Sequence, residues 1–287
     1  MSVERLTLGR VTHIVGERLQ GRVSNRHLAL LGVSFVGFFL ILPIIFLIPE
    51  SLNLGSSTPF ESYRRAMDGI YIDAFVRSFI FGLATTAVTL ALAYLLAYYL
   101  TFAAKRVRIA MTLIIVPLWI AYIIRYFGIL LFLSPAGPFA SFTGIGPGLL
   151  FTSPAVIIGL ANVYLPFAVL PLYNSLNTIN KELIDASRVL GANKWWTIVK
   201  VIFPLSLPGL VAAGLIVFIL AAGSFLGPAV LGGPRQSMIA NVIANAFLEN
   251  FNIQFASALA IIYTVLLVGF LIAFNTVFDL QEVLEDI

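Results

Sequence analysis

This sequence of 287 residues contains no cysteine, only two histidines and few charges of either sign. Without cysteine, the chain forms neither a disulfide nor a thiolate metal site. His13 and His27 have no cysteine or second histidine beside them, so no metal site is expected. Charged residues make up 10% of the chain, whereas a soluble globular domain carries about 25%. The net charge of +4 does not indicate a nucleic-acid partner.

The chain is instead rich in apolar residues. They make up 60% of the chain, and the mean hydropathy is +1.01. A helix that crosses the hydrocarbon of a bilayer needs about 20 predominantly apolar residues, because its backbone groups must be satisfied within the segment. Several charge-free runs reach that length, which predicts an all-α polytopic membrane protein in contact with lipid.

The apolar runs divide the chain into six predicted membrane helices. They cover about 28–49, 74–102, 109 to just before Arg125, 154–173, 207–226 and 255–278. Segments 50–73, 134–152 and 227–252 are predicted external loops. Residues 1–27 form a basic segment, predicted either as an amphipathic helix on the inner membrane surface or as a flexible tail. Residues 279–287 form an acidic tail.

The positive charges predict the orientation of these helices. Six spans place both termini on one side of the membrane. Twelve of the 17 Lys and Arg residues fall on that side and five on the other. Positive charges concentrate in cytoplasmic loops, so both termini and the polar segment 181–209 are predicted to be cytoplasmic.

The segment 181–209 (KELIDASRVLGANKWWTIVKVIFPLSLPG) has helical periodicity. Leu183, Ser187 and Leu190 recur on one face of a first short helix, and charged residues occupy the other. Asn180 is positioned to cap the start of this helix. Gly191 fits the position just past its end, where a left-handed backbone reverses the chain.

A second short helix is predicted after Gly191. It places four apolar residues on one face and Lys194, Thr197 and Lys200 opposite them, and Pro204 and Pro208 end it. The apolar face consists of Trp195, Ile198, Val199 and Ile202. The alternative interpretation is a generic amphipathic loop in which Asp185 and Arg188 form an exposed ion pair worth roughly 0.2–0.5 kcal/mol.

The spacing within this segment resembles the EAA loop of ABC importer permeases. Asp185-Ala186-Ser187, three residues, Gly191, nine residues and then Val201-Ile202-Phe203-Pro204 are similar to E-A-A, three residues, G, nine residues, I-x-L-P. Four of the motif positions differ conservatively. In that family the first helix is the coupling helix, seated in a cleft of the ATPase. The resemblance implies coupling residues Asp185, Ala186, Ser187, Arg188, Gly191, Ala192 and Pro204.

The resemblance extends over about 28–278, and in particular to the spermidine/putrescine importer permeases of the PotB type. The stretches that carry it include 117–119, 124–125, 153–159, 165–167, 170–173, 205–209, 231–233 and 238–239. It implies the type I importer permease fold, a domain of residues 28–278 with a cytoplasmic loop at 176–206, and a bacterial inner-membrane location. The implied partners are a second permease, two ATPase subunits and an extracytoplasmic solute-binding protein.

The chain itself is predicted not to be an enzyme. It has no Walker-type G-x-x-x-x-G-K-[ST] sequence, so ATP and Mg²⁺ are expected on the partner ATPase and no cofactor in this chain. The predicted spans contain no Asp or Glu, which argues against proton-coupled transport. Because the predicted spans contain no Asp or Glu, a polyamine cargo would also find no acidic partner within the spans of this chain.

Aromatic residues offer an alternative surface for a cationic cargo through cation–π contacts. Trp119 and Tyr122, three apart after Pro117, are predicted to share one helix face; helix packing or an interfacial aromatic belt is the alternative. Arg125 is predicted at the outer boundary, holding backbone carbonyls or reaching the interface, with contact to an anionic solute as the alternative. The candidate path comprises Trp119, Tyr122, Arg125, Tyr126, Tyr164 and Phe225.

Other functions remain open at this point. Related permeases carry amino acids, opines, phosphonates, sulfate or iron, so the cargo is less defined than the machine. An ion-coupled carrier or channel would need no motor. A membrane scaffold would bind partners and transport nothing.

Overall fold

A computed structural model describes residues 25–53, 58–144 and 149–278 of the chain. Most of the predicted basic segment 1–27 and the whole predicted tail 279–287 lie outside these residues. All regular elements in the described ranges are helices, as the apolar runs predict. The principal helices are α1 (Asn25–Leu52), α2 (Glu61–Ala66), α3 (Gly69–Phe102), α4 (Val107–Ile115), α5 (Tyr122–Leu133), α6 (Pro138–Thr143), α7 (Ser153–Asn177), α8 (Lys181–Val189), α9 (Lys194–Leu205), α10 (Leu207–Ala222), α11 (Leu226–Leu231), α12 (Ile239–Ala244) and α13 (Ile253–Phe278).

Five helical segments in the described ranges are long and apolar enough to cross a bilayer. They are Gly32–Leu52, Gly69–Phe102, Tyr122–Thr143, Ser153–Asn177 and Ile253–Thr276. A sixth results if α9 and α10, which meet at a bend of 64°, count as one broken span. The helical membrane architecture is confirmed; six crossings with cytoplasmic termini stay a prediction.

The third predicted span is broken in the structure. Helix α4 passes into a 3₁₀ turn at Val116–Trp119, the chain is extended at Ile120 and Ala121, and α5 begins only at Tyr122. Pro117 lies inside this turn and has no N–H to donate to an α-helical ladder. The predicted continuous helix through Trp119 and Tyr122 is therefore wrong, and the two residues share no helix face.

The core of the bundle lies where α3, α7 and α10 pack against one another. Small and apolar side chains make this packing close: Ala93 and Ala97 of α3, Leu160 and Leu172 of α7 and Ala213 of α10 are fully buried or nearly so. Most of α1 is exposed, and it packs along α13 at the edge of the bundle. Apolar exposure of this extent fits a lipid environment.

Candidate functional site

Local hydrogen bonds fix both ends of α8. The Oδ1 atom of Asn180 accepts the backbone N–H of Glu182 at 2.9 Å, which confirms the predicted cap. After the helix, Gly191 has φ +87°, a conformation that favours glycine. Its N–H donates to the Arg188 carbonyl at 3.0 Å, and the Ala192 N–H donates to the Ser187 carbonyl at 3.0 Å. The predicted chain reversal at Gly191 is confirmed.

Helix α9 has a cap that the periodicity alone did not indicate. The Oδ1 atom of Asn193 accepts the backbone N–H of Trp196 at 2.9 Å. Asparagine immediately before a helical run is a start signal, so the sequence carried the information. In residues 181–209, which are called the coupling segment after their predicted role, α8 and α9 each follow an asparagine cap, Asn180 and Asn193.

The α-helical hydrogen-bond pattern of α9 is interrupted in the second half of the helix. Residues Ile198–Ile202 form a π turn, and the Phe203 N–H donates to the Ile198 carbonyl. Pro204 follows and cannot donate to a carbonyl of the preceding turn. The chain then bends by 64° into α10, as expected of a segment that Pro204 and Pro208 terminate.

The bend is held close to α7 by a small residue. A Cβ atom placed on Gly209 would lie 2.3 Å from the Ser175 Cβ and 3.0 Å from the Pro171 carbonyl oxygen. Only a residue without a side chain fits this approach between α10 and α7.

Two isoleucines anchor the coupling segment to the bundle. Ile184 of α8 is 6% exposed and Ile202 of α9 is 2% exposed, and both belong to the main core. Tyr98 and Phe102, in the last turns of α3, border the same small cleft. The Ser187 and Thr197 hydroxyls lie 3.0 Å apart and join α8 to α9. The segment is thus a rigid pair of helices with a buried base.

The surface of α8 away from this base is apolar and exposed. Leu183, Val189 and Leu190 all face outward, and Leu190 is 87% exposed. Asp185 and Arg188 form an exposed ion pair at 3.4 Å. The predicted face therefore divides: Leu183 and Leu190 are outward, whereas Ser187 faces α9. On α9, Thr197 is buried and Trp195 exposed, so the predicted arrangement of that helix is wrong at these two positions.

The six candidate path residues fall into different environments. Trp119, 88% exposed, lies outside the packed core, and Tyr122 and Phe225 are also exposed. Tyr126, 1% exposed, and Tyr164 are buried where α5 meets α7. The Tyr126 hydroxyl lies near those of Tyr164 and Ser224, yet it has no hydrogen-bond partner in the described part of the chain.

Arg125 contacts a carbonyl that a proline has left free. Its Nη2 atom donates to the Asn162 carbonyl at 2.7 Å. In a regular helix this oxygen would accept the N–H four residues on, but that residue is Pro166. The predicted hold on a backbone carbonyl is confirmed. Asn162 is nine residues beyond the start of α7, about 13 Å along its axis. The position of Arg125 at the outer boundary of the membrane stays a prediction.

Solved structures with the same fold are transporter subunits. The chain resembles one in "Crystal structure of bacterial alginate ABC transporter in complex with alginate pentasaccharide-bound periplasmic protein", with a TM-score of 0.74 and 20% identity over 86% of this chain and 92% of that one. It also resembles one in the MetNI methionine ABC transporter, with a TM-score of 0.55 and 24% identity over 79% and 99%. The fold is thus that of a multi-pass transporter subunit.

Sequence relatives define the family within that class. Residues 91–282 match the family described as "Binding-protein-dependent transport system inner membrane component". The spermidine/putrescine transport system permease protein PotB of Escherichia coli (strain K12) is 33% identical over 249 residues, 82% of this chain and 90% of PotB. PotB of Salmonella typhimurium (strain SL1344) gives 33% over 82% and 87%. The chain belongs to this ABC permease family, is of the PotB type and is a multi-pass protein of the bacterial inner membrane.

A more distant relative shows how broad the family is. The molybdenum transport system permease protein ModB of Azotobacter vinelandii is 26% identical over 66% of this chain and 85% of its own length. Family membership therefore establishes that the chain is an ABC permease, but it does not identify the transported solute.

Proposed function

We propose that this chain forms half of the translocation path of an ATP-driven importer and docks a separate ATPase through α8. A second, homologous permease would complete the path, two cytoplasmic ATPase subunits would bind ATP and Mg²⁺, and an extracytoplasmic binding protein would deliver the solute. The six-span topology with cytoplasmic termini is part of this proposal, supported by twelve positive charges on the side of the coupling segment against five on the other.

The exposed apolar side of α8 on its buried base carries the proposal. Leu183, Val189 and Leu190 are available to another protein, whereas Ile184 and Ile202 hold the segment in the core. Burial of an apolar side chain is worth roughly 1.5–3 kcal/mol, and a partner that covers this side would gain that energy. A movement of α8 would then be transmitted to the bundle, because Ile184 and Ile202 are buried in the core.

A substitution at Gly191 tests the coupling role. No atom lies within 4 Å of the position that a Cβ would occupy, so Gly191→Trp strains the backbone without a clash. In the assembled complex we expect ATP hydrolysis to continue and transport to fall. Gly144 is a matched control because it also has positive φ, +67°, and open surroundings, but it follows α6 at the other end of the bundle.

The pair of variants separates coupling from general strain. Gly144→Trp should leave the ratio of transport to ATP hydrolysis near that of the unaltered complex. Normal transport by an assembled Gly191→Trp complex would overturn the proposed role of the coupling segment.

For the cargo we propose a polyamine such as spermidine or putrescine, or a related amine. The PotB relatives, which are spermidine/putrescine transport system permease proteins, support this choice. The exposed faces of Trp119, Tyr122 and Phe225 suit a cation. Arg125 is the alternative contact for an anionic solute: its Nη2 donates to the Asn162 carbonyl, but its buried Nη1 has no partner among the described residues. Carboxylates for the cargo would come from the partner permease.

Ligand-stimulated ATP hydrolysis of the reconstituted complex tests the cargo. Spermidine and putrescine should stimulate hydrolysis, whereas amino acids, opines, phosphonates, sulfate and iron should not. Trp119→Ala should weaken polyamine transport and Trp119→Phe should retain most of it. Phe142→Ala is the control, because Phe142 on α6 is an aromatic residue equally exposed, at 88%.

The possible outcomes test the identity of the transported solute separately from the permease role. Stimulation only by an amino acid or an anion would overturn the polyamine assignment and leave the permease role intact. Uptake by the isolated chain without ATP would instead indicate an ion-coupled carrier or channel. An assembled complex with no flux of any solute would indicate a scaffold.

A further inference from the structure

A cavity of about 420 Å³ lies at the turn between α3 and α4. The last turn of α3, the connecting residues and the first two turns of α4 form its walls, and the cavity is open on its outer side. It is lined by Tyr99, Ala103, Ala104, Lys105, Arg106, Ile109, Ala110 and Leu113. It is separate from the candidate path and from the cleft beneath α8.

The lining combines an apolar wall with positive charge. Tyr99, Ile109 and Leu113 are each more than half exposed, although they belong to helices in the apolar part of the chain. Lys105 and Arg106 belong to the residues that connect α3 to α4, and both line the cavity. No Asp or Glu is among the lining residues that the structure describes.

The apolar wall and the basic residues together suit an amphipathic molecule with an anionic headgroup. A turn that follows a helix long enough to cross a bilayer, as α3 is, is expected at the boundary of the bilayer, where lipid headgroups lie. Basic residues at that level attract anionic headgroups, and the adjoining apolar wall suits an acyl chain. We propose that this cavity binds an anionic phospholipid, with its phosphate at Lys105 and Arg106 and a chain along Tyr99, Ile109 and Leu113.

The bound lipid and the coupling segment would lie on opposite sides of the end of α3. Tyr99 and Ala103 face the cavity, whereas Tyr98 and Phe102, one residue before each, border the cleft that contains Ile184 and Ile202. The Tyr98 and Phe102 rings contact each other with centroids 5.0 Å apart. A bound lipid would therefore contact the side of α3 opposite the side on which α8 rests. An effect of this lipid on ATP hydrolysis through α8 rests on the proposed function.

Spin-labelled lipids test the site on the full chain without any ATPase. The chain is reconstituted in equal parts of phosphatidylcholine and phosphatidylglycerol, and the preference of the motionally restricted lipid for phosphatidylglycerol is measured. Lys105→Gln with Arg106→Gln should reduce this preference by about fivefold for each charge removed. Lys105→Arg with Arg106→Lys should retain it, and inorganic phosphate should not displace the lipid.

Arg108 provides the matched control. It lies in the first turn of α4, two residues after Arg106, but does not line the cavity, so Arg108→Gln should have a clearly smaller effect. An equal effect would mean diffuse attraction to the membrane and would overturn the site. Ala103→Trp keeps both charges and fills the cavity, so it should also release the lipid if the double variant does not fold.

The assembled complex decides what covers the cavity. The phosphatidylglycerol preference should persist when the other subunits are present. Its loss on assembly would show that a protein subunit covers this surface and would overturn the proposal. Lipid preference without any dependence of ATP hydrolysis on phosphatidylglycerol would keep the site and remove only its link to the coupling segment.

Discussion

The coupling segment and the region of the candidate path, residues 116–126, are stabilised in different ways. In the coupling segment, Asn180, Asn193 and Gly191 set the helix ends through contacts with residues two or three positions away. In the path region, the chain is broken after Trp119, and Arg125 bonds Asn162, 37 residues away. The helix ends of the coupling segment are encoded locally, whereas its attachment through Ile184 and Ile202 and the geometry of the path region depend on the packed bundle.

This difference suggests how each region tolerates change. A locally encoded segment keeps its shape when its surface is altered, so its exposed residues are free to serve a partner. A region that depends on distant contacts loses its geometry together with those contacts. The following predictions test that distinction, in order of decreasing effect on the free energy of unfolding.

Ile184→Ala should have the largest effect. Removal of a buried isoleucine side chain costs about 2–5 kcal/mol, and Ile184 connects the coupling segment to the core. The free energy is measured by chemical unfolding of the full chain in mixed micelles. Leu183→Ala, its exposed neighbour, should change that free energy by less than about 0.5 kcal/mol and should weaken ATPase binding. Equal destabilisation by both variants would contradict the assignment of buried and docking sides.

Arg125→Ala should follow, because it leaves the Asn162 carbonyl without a donor. A hydrogen bond to a charged group is worth about 1.5–3 kcal/mol. In a Pro166→Ala background, the residue at 166 regains its N–H and satisfies Asn162 within α7. The loss on Arg125→Ala should then be smaller by about 1 kcal/mol, measured as a double-mutant cycle. The same loss in both backgrounds would contradict the proline explanation.

Asn193→Ala should destabilise α9 by about 0.5–2 kcal/mol through loss of its cap. Asn193→Ser retains a side-chain acceptor and should lose much less. Hydrogen exchange of the α9 amides reports the local effect. Protection unchanged by the alanine variant would show that packing, rather than the cap, starts the helix.

Asp185→Asn should have the smallest effect on stability, about 0.2–0.5 kcal/mol, because the ion pair with Arg188 is exposed. If α8 docks the ATPase, the same variant should reduce transport per ATP hydrolysed more than this energy suggests. Asp185→Glu, which matches the family pattern, should preserve coupling. A transport loss no larger than that of a silent surface variant would speak against contact at Asp185.

The features that sequence predicted well are those with a local cause. The apolar runs predicted the long helices, and the cap at Asn180 and the reversal at Gly191 follow from the preferences of those two residues. The break after Trp119 was not predicted, because a single proline is compatible with either a kink or an interruption. The pairing of Arg125 with the carbonyl freed by Pro166 needs the relative placement of α5 and α7, which no periodicity contains. Burial of Thr197 likewise depends on how α8 folds back onto α9.

The angle between α9 and α10 has a mechanical consequence. At 64°, a force directed along the axis of α9 has a component across α10 roughly twice as large as the component along it. Such a force tilts α10 more than it slides it. Because Gly209 packs the start of α10 against Ser175 and Pro171, such a force would reach α10 next to a tight contact with α7.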